Sequence, residues 1–165
     1  MVKHNINIAF EEYQTFEELN ESDKALCLEA EKALGGSHSP YSNFRVGAAL
    51  RLKSGRIVYG SNQENAAYPS GLCAERVALF TWSANFANDP VEAMAVTANT
   101  SKFKIEKPIT PCGSCLQVLA EFEKKQLMPI RTLLYCKNGV TWATNGADSF
   151  LPFMFFEDRL ATVPV

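Results

Sequence analysis

Three cysteines and one glutamate have the types and spacing for metal chemistry: Cys73-Ala74-Glu75 and, further along, Pro111-Cys112-Gly113-Ser114-Cys115. Zinc takes thiolate ligands at about 2.3 Å, and a catalytic zinc uses three protein ligands and keeps a fourth position open. Cys112 and Cys115 are three residues apart, which puts both on one face of a helix start, near enough to share an ion. A helix N-terminus favours thiolate over thiol through its dipole and free N–H groups. Pro111 suits the first turn of such a helix, where its missing N–H does no harm. Cys73 is expected to open a second helix, so two helix ends can converge on one metal. A Cys-x-x-Cys pair has other readings: a redox dithiol, or a structural zinc site that wants a fourth ligand. Glu75 favours catalysis. A carboxylate two residues after a ligand reaches over the metal without coordinating it, and there it can move a proton.

The elements that must position these residues follow from the pattern around them. Asn20 to Leu34 reads as a helix, with Asn20 or Ser22 as N-cap, a Leu26, Ala30, Ala33 stripe, and Gly35-Gly36 as the stop. Val46–Leu52 and Arg56–Gly60, joined through Ser54-Gly55, read as a β-hairpin. Ser61–Gly71 is a polar loop. A helix over about Cys73–Phe86 leads to a strand at Val91–Ala98, and Cys112 to Lys125 is a third helix. Ile130–Cys136 and Val140–Ala143 are strands, and the aromatic-rich C-terminal stretch is expected to be helical in part. Two strands first, then helices alternating with strands, suggest one sheet covered on both faces by helices. Residues 1–21 form a weakly patterned N-terminal arm, and 22–165 a single domain.

Composition narrows the partners. The 165 residues are about one compact domain, 47% hydrophobic and 21% charged. A net charge of −2 argues against nucleic acid, which needs a basic footprint. Lys102, Lys104 and Lys107, like Lys124 and Lys125, read as solvated faces. No apolar run approaches the roughly 18–20 residues of a membrane span. Met1-Val2-Lys3-His4-Asn5 lacks the apolar core of a signal peptide. The expectation is a cytoplasmic protein without a membrane partner. Five cysteines, an odd count, speak against a disulfide framework. Cys27 and Cys136 read as small core residues.

Four segments in order are similar to the small, homotetrameric, zinc-dependent cytidine deaminase family. They are Tyr41-Ser42-Asn43-Phe44-Arg45-Val46-Gly47-Ala48-Ala49, Asn62-Gln63-Glu64-Asn65-Ala66-Ala67-Tyr68-Pro69, Cys73-Ala74-Glu75-Arg76 and Pro111-Cys112-Gly113-Ser114-Cys115. The similarity spans roughly residues 22–157. It implies an α/β fold, a three-layer α/β/α arrangement with a mixed, roughly five-stranded sheet. It implies one zinc per subunit on Cys73, Cys112 and Cys115, the three-cysteine variant of the zinc deaminase site. The reaction implied is hydrolytic deamination of free cytidine and deoxycytidine to uridine and deoxyuridine plus ammonia, a step of pyrimidine salvage. Water activated on the metal would attack C4, with Glu75 as proton shuttle.

The same resemblance assigns Asn62 and Glu64 to the ribose 3′-hydroxyl, a group that a nucleoside presents and a mid-chain nucleotide does not. Phe44 would stack on the pyrimidine. So would Phe155, through Leu151-Pro152-Phe153-Met154-Phe155. Tyr68 would sit near a neighbouring subunit's site, and Arg76 would hydrogen-bond the sulfurs. The family usually carries a second arginine after the last cysteine, where this chain has Leu116; Arg131 or a lysine is the expected substitute. The rival readings are a deaminase of another nucleoside or a free base, a thiol–disulfide oxidoreductase using Cys112 and Cys115, and a catalytically silent binding module.

Overall fold

The computed structural model describes residues 1–157. Helix α1, Glu21–Ala33, starts where Asn20 caps it: the Asn20 side chain accepts a hydrogen bond from the Asp23 amide at 2.8 Å. Glu21 and Asp23 in its first turn and Lys32 in its last complement the helix dipole. A short 3-10 turn over Leu34–Gly36 ends it. The hairpin follows as β2, Arg45–Leu52, and β3, Ile57–Ser61, with Gly55 at φ +86° in the turn. Helix α2 is Ala74–Asn85, β4 is Val91–Asn99, α3 is Gly113–Gln126, β5 is Arg131–Tyr135 and β6 is Thr141–Asn145. The segment after β6 contains one 3-10 turn, Ala147–Ser149, and no α-helix among the described residues.

The sheet has six strands rather than about five. Glu11–Tyr13, inside the N-terminal arm, forms β1 and pairs antiparallel with β6. The strand order is β1-β6-β5-β4-β2-β3. It is a mixed sheet: β4 and β5 run parallel, joined by α3 as the crossover, and the other pairs are antiparallel.

Alternation along the strands feeds two cores, one on each face. Ala48, Leu50, Leu52, Met94, Val96 and Leu134 pack under α2 and α3 with Leu79, Trp82 and Leu119. Ala49, Ala93, Ala95, Leu133 and Tyr135 point the other way, to Leu26, Cys27 and Ala30 of α1. The result is three layers, α/β/α. Two glycines set the layer spacing. A Cβ on Gly47 would strike the Ala30 carbonyl of α1, and one on Gly60 would strike the Ala74 carbonyl and Ala78 amide of α2. Cys27 and Cys136 are buried, as expected of core residues. Among the described residues no helix is long and apolar enough to cross a membrane.

Candidate metal centre and active site

The N-termini of α2 and α3 meet at one end of the sheet, and the cysteines stand at that meeting point. Cys73 is the N-cap of α2 and Cys112 the N-cap of α3, both with extended backbone and neither spending its side chain on capping. Cys115 lies in the first turn of α3 and is buried. Pro111 stands one residue ahead of the cap instead of inside the first turn, so it shapes the entry to the helix. The Cys73 and Cys112 sulfurs are 3.8 Å apart and those of Cys112 and Cys115 are 3.5 Å apart. All three lie within 4.8 Å of one another. Three thiolates bound tetrahedrally at about 2.3 Å stand about 3.8 Å apart. The donor set therefore fits a zinc ion.

The sulfurs interact strongly. The hydrogen bond from Cys115, followed by those of Arg76 and Cys112, outweighs burial and holds the Cys73 thiol well below its ordinary range. The same contact with Cys73, reinforced by burial and the charge of Glu75, pushes Cys115 upwards. A trio that concentrates negative charge on one sulfur while burying another suits a cation placed between them. Arg76 offsets part of that charge: its Nη2 donates to the Cys73 sulfur at 3.9 Å and to the Gly71 carbonyl at 3.3 Å. Leu116 is buried beside Cys115. Arg131 does not replace the missing cation. It stands on the α1 face, hydrogen-bonded to Asp23 at 3.0 Å and Glu11 at 2.7 Å.

Glu75 sits in the first turn of α2, only 4% exposed. Burial first, then the charge of Cys73, raises its carboxyl above the usual range. It nevertheless reaches the wall of a cavity of about 720 Å³ that Cys73 and Cys112 also line. That volume is in the range of small-molecule sites. Asn62, Glu64, Phe44 and Tyr68 line the same cavity. Asn62 has three of its four hydrogen-bonding positions committed already: its oxygen accepts from Ser37 Oγ at 2.6 Å and the Val46 amide at 2.8 Å, and its Nδ2 donates to the Phe44 carbonyl at 2.9 Å. One Nδ2 hydrogen is left for a ligand. Glu64 accepts from the Tyr41 amide at 2.9 Å, the Ser42 amide at 3.2 Å and the Ser42 hydroxyl. The Phe44 ring stacks on Phe103 at 6.2 Å, and Tyr68 is 79% exposed at the cavity mouth.

Phe155 lies apart from this group. Its backbone exchanges two hydrogen bonds with the Gln117 side chain, and its ring faces a separate hollow with Glu121 and Leu127. Ser42, Ile109 and Thr110 line the cavity although no role was assigned to them. Thr110 immediately precedes Pro111 and Ser42 is two residues before Phe44, so adjacency to the motifs was the available signal.

The family model for the cytidine and deoxycytidylate deaminase zinc-binding region matches residues 20–129. Cytidine deaminase of Halalkalibacterium halodurans is 44% identical over 113 residues, covering 68% of this chain and 77% of that protein. That of Sporosarcina psychrophila is also 44% identical, over 97 residues, covering 59% and 67%. Among solved structures, cytidine deaminase from Burkholderia pseudomallei superposes with a TM-score of 0.69 at 37% identity, covering 79% of this chain and 97% of that one. The Mycobacterium tuberculosis enzyme gives 0.61 at 26% identity, covering 84% and 100%. The matched region holds all three cysteines, Glu75, Asn62 and Glu64, and the chain belongs to the family of zinc-binding cytidine and deoxycytidylate deaminases.

Proposed function

We propose that the chain deaminates free cytidine and deoxycytidine hydrolytically, releasing ammonia and leaving uridine or deoxyuridine. One observation carries the reading. Cys73, Cys112 and the buried Glu75 line the same cavity as Asn62 and Glu64, with the Cys115 sulfur buried within 4.8 Å of the other two, so a metal-activating end and a sugar-sized polar end face one space. Cys73, Cys112 and Cys115 would hold zinc, which when bound supplies Lewis acidity and brings the pKa of water down to about 7.

The chain's own groups then account for the proton movements. Water adds to C4 of the cytosine ring and Glu75 takes its proton. Glu75 passes that proton to N3, then takes the second proton from the C4 hydroxyl and delivers it to the C4 amino group, which leaves as ammonia as the C4 carbonyl forms. The elevated proton affinity of Glu75, caused by burial and by Cys73, suits a group that must both accept and give. Phe44 stacks on the base, while Glu64 and the free Nδ2 hydrogen of Asn62 meet the ribose 3′-hydroxyl. In this reading Tyr68, exposed at the mouth, serves a neighbouring subunit's site in a homotetramer, whereas Phe155 lies away from the cavity within the single chain. Pyrimidine salvage in the cytoplasm is the setting that free nucleoside substrates suggest.

The test is Glu75→Gln, assayed by metal analysis and ammonia release from cytidine. The variant is expected to keep its zinc and to lose about 10²–10⁴-fold in kcat. Wild-type turnover in the variant, or a wild-type protein that releases no ammonia, overturns the assignment.

A further inference from the structure

Resting on that reading of the cavity, the geometry points to Ser42 as a positioning residue that joins sugar recognition to the placement of the base platform. Phe44 has one backbone polar group held by Asn62 directly and the other linked to Glu64 through Ser42. Its carbonyl accepts from Asn62 Nδ2 at 2.9 Å. Its amide donates to Ser42 Oγ at 2.9 Å, and that hydroxyl in turn donates to Glu64 Oε1. The hydroxyl can do both at once, because it offers one hydrogen and two lone pairs. A closed circuit results, running Asn62–Phe44–Ser42–Glu64, with the last link completed through the chain between residues 62 and 64.

The two sides of the circuit are held in different ways. His38 donates its amide to the Asn62 carbonyl at 3.0 Å and accepts the Glu64 amide at 2.8 Å, which fixes the 62–64 strand-like segment. The 41–44 segment has no such ladder. Its amides at Tyr41 and Ser42 go to Glu64, and its turn is closed by the Asn43 amide on the Ser39 carbonyl at 3.0 Å, with Asn43 at φ +56°. Glu64 therefore gathers three of the hydrogen bonds that hold the segment carrying the base-stacking ring, beside the bond from Asn62 to the Phe44 carbonyl. A 3′-hydroxyl arriving at Glu64 takes a lone pair beside the Ser42 bond, so the aim of the carboxylate and the position of Phe44 depend on the same hydroxyl. Removing that hydroxyl leaves Glu64 Oε1 without its donor, with Oε2 still on the Tyr41 and Ser42 amides, so the aim of the carboxylate loosens as the Phe44 amide is released.

Deoxycytidine and 2′,3′-dideoxycytidine differ only in the 3′-hydroxyl, so the ratio of their kcat/KM values reads the Glu64 contact directly. In the full-length, zinc-loaded protein, Ser42→Ala is expected to lower that ratio about tenfold, as expected for losing one charge-assisted hydrogen bond. The larger share of the loss should appear in KM for deoxycytidine, and Ser42→Thr should restore the ratio because it keeps a hydroxyl. A loop that is merely loosened would slow both nucleosides alike and leave the ratio in place; that outcome overturns the relay. If Ser42→Ala does not fold, Ser42→Cys, a weaker donor, should give an intermediate ratio, and a wild-type ratio there overturns it equally. A wild-type protein that releases no ammonia from either nucleoside brings down the deaminase reading itself, whereas an active wild type with an unmoved ratio brings down only the relay.

Discussion

Glu64 shows how a single carboxylate can be loaded before a ligand arrives. The Ser42 hydroxyl above all, helped by the Tyr41 and Ser42 amides, holds its carboxyl below the usual carboxylate range against the opposing effect of burial. With the folded value below the unfolded value of about 4.3, the anchoring of the 41–44 segment is complete above that pH and is lost as pH falls through the lower folded value. Carbon-13 NMR of the labelled side chain should show Glu64 titrating below about 4.3, and Ser42→Ala should raise that midpoint. A midpoint at or above the free value would remove the anchor. Residues of this kind divide by how local their chemistry is. Cys73, Glu75, Cys112 and Cys115 were legible because two short segments contain the whole pattern. The second task of Asn62, holding Phe44 and Val46, was not. Its partners lie 18 and 16 residues away and meet it only once the hairpin has its register. Arg131 misled for the same reason, since nothing local says which face of β5 it occupies.

At the scale of elements, the site exists because two helix N-termini are pressed onto one sheet end, and Gly60 of β3 permits the closer of the two approaches. Its Cα faces the first turn of α2, where a Cβ would meet the Ala74 carbonyl, the Ala78 amide and, at 2.8 Å, the Ala78 Cβ. These atoms belong to backbone and to a side chain with no rotamer, so the helix itself must move. Gly60→Ala is expected to destabilise the fold by about 1–3 kcal/mol, and because Cys73 and Glu75 ride on the displaced turn, zinc content should fall with it. Gly35→Ala, which meets nothing within 4 Å, serves as the reference in thermal melts and metal analysis. If the two variants behave alike, the close approach does not hold the metal end together. Helix positions were readable from caps and stops, as Asn20 illustrates. β1 was not, because Glu11-Glu12-Tyr13 has neither alternation nor turn signals; it is a strand only because β6 offers it an unpaired edge.

That edge matters for the molecule as a whole. The sheet runs from β1 at one side to β3 at the other, and the metal end lies towards β2, β3 and β4, so the N-terminal arm closes the side remote from the chemistry. Three kinds of contact hold it there. β1 pairs with β6 in register from Glu11 opposite Ala143 to Tyr13 opposite Thr141. Phe10 packs edge-on against Trp142 with ring centres 5.4 Å apart, and the Trp142 indole donates to Glu12 at 2.6 Å. Glu11 and the Tyr13 hydroxyl both meet Arg131, which also pairs with buried Asp23 of α1. Removing residues 1–14 would leave Arg131 with Asp23 but expose the β6 ladder and the Trp142 ring. Unpaired edges of this kind invite pairing with another chain. The truncated protein should melt lower, by about 2–4 °C for each kcal/mol lost. Its mass by light scattering should rise with concentration above that of the full-length protein, while kcat/KM per folded subunit stays within about twofold because no arm residue lines the cavity. An unchanged melting point and mass would mean that the arm only lies on the edge; a collapse of activity in well-folded truncated protein would mean that it reaches the site through the sheet.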